Sequence, residues 1–174
     1  MTTAVQVREL GIPVRSVSHV KLFVGAHADG SPALYATMAQ VGAPFFVIDI
    51  DLQTGHCTKH LADLEHAMEA VSAHWSDRWQ RLYAGSCYTG HLHVFDPATG
   101  RVADLGPINP EKHELACFPC SMDEHPGGAI YIGSYNGCDL TRFDPATGEF
   151  TRYGRMDPDD MYLYVRCGAD GTVA

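Results

Sequence analysis

The chain has 174 residues, 45% of them apolar and 19% charged, which is enough for one globular domain with a buried core. Twelve Lys and Arg against 21 Asp and Glu leave a net charge of −9, and without a basic block nucleic acid is not an expected partner. No apolar run approaches the roughly 20 residues that cross a bilayer, and the start, Met1 to Arg8, lacks the apolar core of a signal peptide. A soluble, cytoplasmic protein without a membrane partner is expected.

From the N-terminus onward, short segments rich in β-branched and aromatic residues alternate with Gly, Pro, Asn and Asp, the pattern of strands joined by turns. Val5–Gly11 reads as a lone strand of the fourth-strand type. Then come His19–Gly25, Ala33–Met38, Phe45–Asp51 and His56–Leu61. A second set follows at Met68–His74, Arg81–Cys87, His91–Asp96 and Arg101–Leu105. A third set occupies Glu114–Ser121, Ala129–Tyr135, Asp139–Asp144 and Phe150–Tyr153, and Met161–Gly168 reads as the first strand of a fourth. Asp29-Gly30 and Asp170-Gly171 are turn dipeptides between first and second strands.

These sets are repeats. Tyr83-Ala84-Gly85-Ser86, Leu92 and Phe95-Asp96-Pro97-Ala98-Thr99-Gly100 return as Tyr131-Ile132-Gly133-Ser134, Leu140 and Phe143-Asp144-Pro145-Ala146-Thr147-Gly148, each 48 residues later. Leu34-Tyr35 and Asp51-Leu52-Gln53-Thr54-Gly55 form a looser first copy. A period of 40–50 residues built from four strands predicts a β-propeller. The expected fold is all-β: a partial propeller of about three and a half four-stranded antiparallel blades in one domain, 1–174. Its blades fall at about 18–61, 67–106 and 113–154, with the start of a fourth at 161–174 and 5–11 as a closing strand. Three and a half blades leave strand edges open, so self-association or missing blades are expected.

The Tyr-x-Gly-Ser-x(5)-Leu-x-x-Phe-Asp-Pro-Ala-Thr-Gly unit resembles the repeats of six- and seven-bladed propellers of the streptogramin-lyase type, and those of the propeller polysaccharide lyases. The resemblance covers residues 18–174. It implies that His and Tyr side chains on the axial face serve as base and acid, in some members beside a divalent metal. The Asp-Pro-Ala-Thr-Gly turns themselves are scaffold.

The segments entering the first strands and the loops after Gly-Ser share one face. Ser18-His19, Glu65-His66 and Lys112-His113 enter successive first strands 47 residues apart, and the next step of 47 reaches Asp160. Imidazoles gathered this way suit either of two roles. His19, His66 and His113 can act as general base and acid, since His titrates near neutrality. Alternatively they hold a divalent ion with Asp160 as an oxygen ligand, the one cofactor indicated. Against both stands a structural role, each His bonding the neighbouring blade's backbone. Tyr88, Tyr135, Asn136, Tyr162 and Arg166 fall on the same face, with Tyr164 beside them. They offer ring faces for sugars, hydrogen bonds for hydroxyls and a clamp for a carboxylate. The six cysteines (57, 87, 117, 120, 138 and 167) provide one close pair, Cys117-Phe118-Pro119-Cys120, and read as reduced, buried thiols. The expected function is a carbohydrate-directed propeller with a glycan or small-molecule ligand, as a lyase on uronate-containing glycans. The alternative is a non-catalytic scaffold that binds a protein or small ligand.

Overall fold

A computed structural model describes residues 19–112 and 117–174. The expected closing strand at 5–11 and the residues 113–116 lie outside them. Twelve strands follow in chain order: β1 His19–Ala26, β2 Pro32–Ala39, β3 Phe46–Asp51, β4 Cys57–Leu61, β5 Ala70–Ser76 and β6 Arg81–Ser86. The rest are β7 His91–Asp96, β8 Arg101–Pro107, β9 Phe118–Glu124, β10 Ile130–Tyr135, β11 Asp139–Asp144 and β12 Glu149–Arg155. They pair strictly antiparallel into three four-stranded sheets, β1 to β4, β5 to β8 and β9 to β12. No helix occurs among the described residues. The chain is all-β, as its repeats predict.

The turns work as the sequence indicates. In all three sheets the Asp that ends the third strand accepts amide hydrogen bonds through its carboxylate: Gln53 and Thr54 on Asp51, Ala98 on Asp96, and Ala146 on Asp144. The glycine closing each turn has positive φ, 74° at Gly55, 67° at Gly100 and 74° at Gly148. Only glycine adopts that conformation cheaply.

Boundaries shift at the first strands. Pairing in β5 starts at Ala70 rather than Met68, and Met68 makes a single bridge to Pro44, in the connection ahead of β3. β9 is Phe118–Glu124, three residues beyond the expected end at Ser121, and the expected start at Glu114 lies outside the described residues. Met161–Gly168, read as a strand, makes only isolated bridges, Tyr135 to Tyr162 and Cys167 to Val173. Arg166 and Ala174 exchange both amide hydrogen bonds, and the Leu163 amide donates to the Ser134 carbonyl.

The segment nonetheless occupies a first-strand position. Ser72 lies opposite Gly85 and donates its hydroxyl to the Pro119 carbonyl of the next sheet at 2.9 Å. Ser121 lies opposite Gly133 and donates to the Leu163 carbonyl at 2.9 Å. The same contact thus joins sheet two to sheet three and sheet three to 161–168.

The core lies between sheets. Tyr35, Phe45, Val47, Trp75, Leu82 and Phe95 fill the space between the first two, with Tyr35 stacked on Trp75 at 5.0 Å. Tyr83, Leu92, Ile108, Met122, Ile132 and Phe143 fill the next. His93, wholly buried, joins this core edge-on to Phe45 at 5.5 Å between ring centroids. Its Nδ1 meets the Ser86 hydroxyl at 3.2 Å. Burial lowers its pKa to about 4; the charge of Asp104 opposes this, while His91 and His66 add to it.

Two predictions follow from this packing. A Cβ at Gly133 would overlap the Leu163 carbonyl. Gly133→Ala is therefore expected to destabilise the fold by about 1–3 kcal/mol, read as a drop of several degrees in Tm. His93 is held neutral in the fold but protonates near pH 6.5 when unfolded. The unfolded chain then binds the extra proton between pH 6.5 and about 4, so stability falls as pH drops through that window. The slope contributed is up to about 1.4 kcal/mol per pH unit. Urea midpoints measured across this range are expected to flatten in His93→Gln.

Candidate functional site

The loops after Gly-Ser carry repeated backbone strain. Tyr88 and Asn136, 48 residues apart, have φ of 66° and 65°, and Gly90 and Cys138 have φ of 68° and 51°. Left-handed backbone costs about 1 kcal/mol or more at Tyr and Cys, and such positions gather near functional sites. Each loop delivers the residue that opens the third strand: His91 in β7 and Asp139 in β11.

A bulge then aims the partner of His91. In β8, Gly106 pairs with Leu92 and Asp104 with His93, so Leu105 is the extra residue. Gly106, at φ 101°, donates its amide to the Asp104 carboxylate at 2.8 Å. His91 Nδ1 lies 2.9 and 3.0 Å from the two carboxylate oxygens. A carboxylate only accepts, so Nδ1 carries a proton, and in the neutral ring the lone pair is on Nε2. Burial pushes the Asp104 pKa up, but the Gly106 amide, His91 and the charge of His93 outweigh it and hold the carboxyl below its ordinary value. The His66 ring stacks on His91 at 4.1 Å and 28°, and the Thr89 hydroxyl donates to the His66 carbonyl at 2.7 Å.

Opposite His91 a second ionic group is built across sheets. Asp139, 1% exposed, accepts from the Lys112 ammonium at 2.6 Å and from the Cys117 thiol at 3.3 Å. The Asp139 amide donates to the Ser134 hydroxyl at 2.8 Å. Burial pushes the Cys117 thiol up to about 12, so it is a donor here and not a nucleophile. His91 and Lys112 line one cavity of about 410 Å³ between the second and third sheets, together with Thr89, Gly90, Asn109 and Pro110. Lys112 spends one of its three N–H donors on Asp139 and keeps two for a ligand.

The residues expected from the sequence fall as follows. His66 is half-buried against His91. His19 opens β1 opposite Ala39, its side chain outside the described set, and His113 lies outside the described residues. Asp160 is exposed; its amide donates to Asp157, and its carbonyl accepts from Arg155 at 2.6 Å. Among the described residues no group of three or more His, Cys, Asp or Glu side chains is placed to hold a metal ion. Tyr88 is exposed and Asn136 half-buried in their loops. The Tyr135 ring lies against Tyr162 at 4.2 Å, tilted by 33°, and Tyr162 stacks on Tyr164 at 6.1 Å and 15°. A hydrogen bond with Tyr135 raises the Tyr162 pKa. Arg166 follows two residues beyond Tyr164.

His91, Asp104, Lys112 and Asp139 do not stand out in the sequence. The available signal is the 48-residue offset itself, which equates His91 with Asp139 at the head of the third strand.

No protein-family model matches the sequence, and no curated protein matches it. Solved structures do. Virginiamycin B lyase from Staphylococcus aureus aligns with 15% identity and a TM-score of 0.66, over 89% of this chain and 52% of that one. A catalytically inactive histidine-to-alanine variant of that lyase, with quinupristin, aligns with 14% identity, a TM-score of 0.66 and the same coverage. An auxiliary nutrient binding protein from Bacteroides thetaiotaomicron aligns with 17% identity and a TM-score of 0.53, over 79% of this chain and 32% of that one. The chain spans about half the length of the lyases. At these identities the likeness is one of fold: the chain is similar to propellers of the streptogramin B lyase type, in three four-stranded sheets.

Proposed function

We propose that this chain contributes to a propeller that takes an acidic small molecule or a uronate unit of a glycan into the cavity between the second and third sheets, and that His91 removes a proton from it in a lyase reaction. The observation that carries the reading is the bonding of His91 to Asp104, which leaves the Nε2 lone pair free for a proton in a cavity that also presents the Lys112 ammonium. A ligand carboxylate accepting from Lys112 acidifies the neighbouring C–H. Nε2 takes that proton, a C=C bond forms, and the C–O bond at the β-carbon breaks with its electron pair leaving on oxygen. The histidine row enters through His66, whose ring lies against His91, with His19 and His113 as its remaining members. Two fold neighbours named as lyases, one inactivated by a histidine change, support this reading.

A non-catalytic binding platform is the second reading, favoured by the exposed faces of Tyr162 and Tyr164. Following the absorbance of unsaturated products on a panel of uronate polymers separates the two. His91→Gln is expected to lower the elimination rate by about 100-fold or more, and Asp104→Asn to lower kcat and shift its pH profile with little change in KM. No absorbance change from the parent chain on any uronate polymer would sink the lyase reading.

A further inference from the structure

We infer that the propeller axis carries a separate site for the carboxylate of an acidic sugar, built from Lys21, Arg166 and Tyr164. The first strands of the three sheets meet there, β1 against β5 and β5 against β9. They enclose, with 161–168, a cavity of about 160 Å³ lined by Lys21 of β1, Ser72 of β5, Ser121 of β9, Tyr164 and Arg166. In a molecule of net charge −9, two cations reach this cavity and no Asp or Glu lines it. Among the described residues neither cation meets a carboxylate. Arg166 gives one N–H to its neighbour's carbonyl, Val165, and keeps the rest of its planar fork. Nor does a thiolate neutralise them: Cys120, on the same wall, is pushed up to about 11 by burial.

The remaining groups give the site its preference. Ser72 and Ser121 spend their protons on the carbonyls of Pro119 and Leu163; Ser121 also accepts the Val165 amide, so towards the cavity Ser72 is the freer acceptor for a sugar hydroxyl. Tyr164 is 68% exposed and Tyr162 52%. Their stacked rings, continued by Tyr135, form a row of aromatic faces leading from the loop face to the two cations. Aromatic faces suit the C–H faces of pyranose rings, and the guanidinium matches a carboxylate bidentately. The site shares no lining residue with the cavity at His91 and does not depend on its chemistry.

Calorimetric titration of the full chain with an oligouronate tests the assignment, with a neutral oligosaccharide of equal length and inorganic sulfate as comparisons. The oligouronate is expected to bind about 10-fold or more tightly than the neutral sugar. Arg166→Gln and Tyr164→Ala, both at exposed positions, are each expected to weaken it by about 10-fold, a loss of about 1.4 kcal/mol. Lys21→Gln is expected to lessen the salt dependence. His91→Gln is expected to leave this binding unchanged even where elimination is lost, which keeps the two sites distinguishable. Equal affinity for acidic and neutral sugars, or no effect of Arg166→Gln, overturns the inference. So does sulfate binding as tightly as the oligouronate with no effect of Tyr164→Ala, which would mark a plain oxyanion site.

Discussion

The approach of the second and third sheets to the segments that follow them is governed by a glycine in the second strand of each. Gly85 lies under Pro119 and Met122 of the following sheet, and Gly133 lies under Leu163 and Ser121. A side chain at either point would push the neighbouring first strand outward. The serines opposite these glycines then convert proximity into a fixed hydrogen bond, Ser72 to Pro119 and Ser121 to Leu163. Both later features rest on this spacing: the cavity between sheets two and three, and the narrower one where the first strands meet. The Gly-Ser motif that marks the repeat is therefore the element that sets how far apart the walls of both cavities stand.

On that scaffold the two ionic groups of the larger cavity are held differently. Asp139 is a carboxylate drawn out of water, which is costly unless it is paired, whereas Asp104 keeps contact with solvent. Asp104 is satisfied within its own blade by the Gly106 amide and His91. Asp139 is paired across the blade boundary through Oδ2, by Lys112 from the preceding connection, while its buried Oδ1 has no hydrogen-bond partner among the described residues. One group thus orients a side chain, and the other ties two blades together while presenting an ammonium. The difference follows from a single substitution in the repeat, His91 against Asp139, at the first residue after the strained loop.

Much of the fold could be read directly, because the 48-residue offset equates turns and strands without any knowledge of contacts. Asp96 and Asp144 close their turns by the same hydrogen bonds that the Asp-Pro-Ala-Thr-Gly pattern implies. The candidate site was less legible. Counted from the turn after Asp96, regular pairing puts Asp104 opposite His93, on the face it shares with His91, and the bulge at Leu105 then brings the Gly106 amide back onto the Asp104 carboxylate. A one-residue bulge reverses which face a side chain takes, and nothing in Val102-Ala103-Asp104-Leu105-Gly106 taken alone announces it. The spacing of 47 singles out His66, just ahead of β5, but nothing in that spacing points to the ring it meets, His91, which opens β7. Of the tyrosines, Tyr162 and Tyr164 are exposed, whereas Tyr135, at the end of β10, is half-buried against Tyr162.

The axial cavity shows why net charge is a poor guide to what such a molecule binds. Potential at a site is set by groups within about 10 Å at moderate salt, and there Lys21 and Arg166 dominate over a total of −9. The surplus acids sit largely in turns, where Asp51, Asp144, Asp157 and Asp170 spend their charge on backbone amides. Those hydrogen bonds hold all four carboxyls below their ordinary pKa, with Arg142 the leading cause at Asp144. The acidic residues are thus committed to building the repeat, and the cations at the axis are left available to a ligand. A propeller made from Asp-closed turns can in this way be acidic as a whole and still attract an anion at its centre.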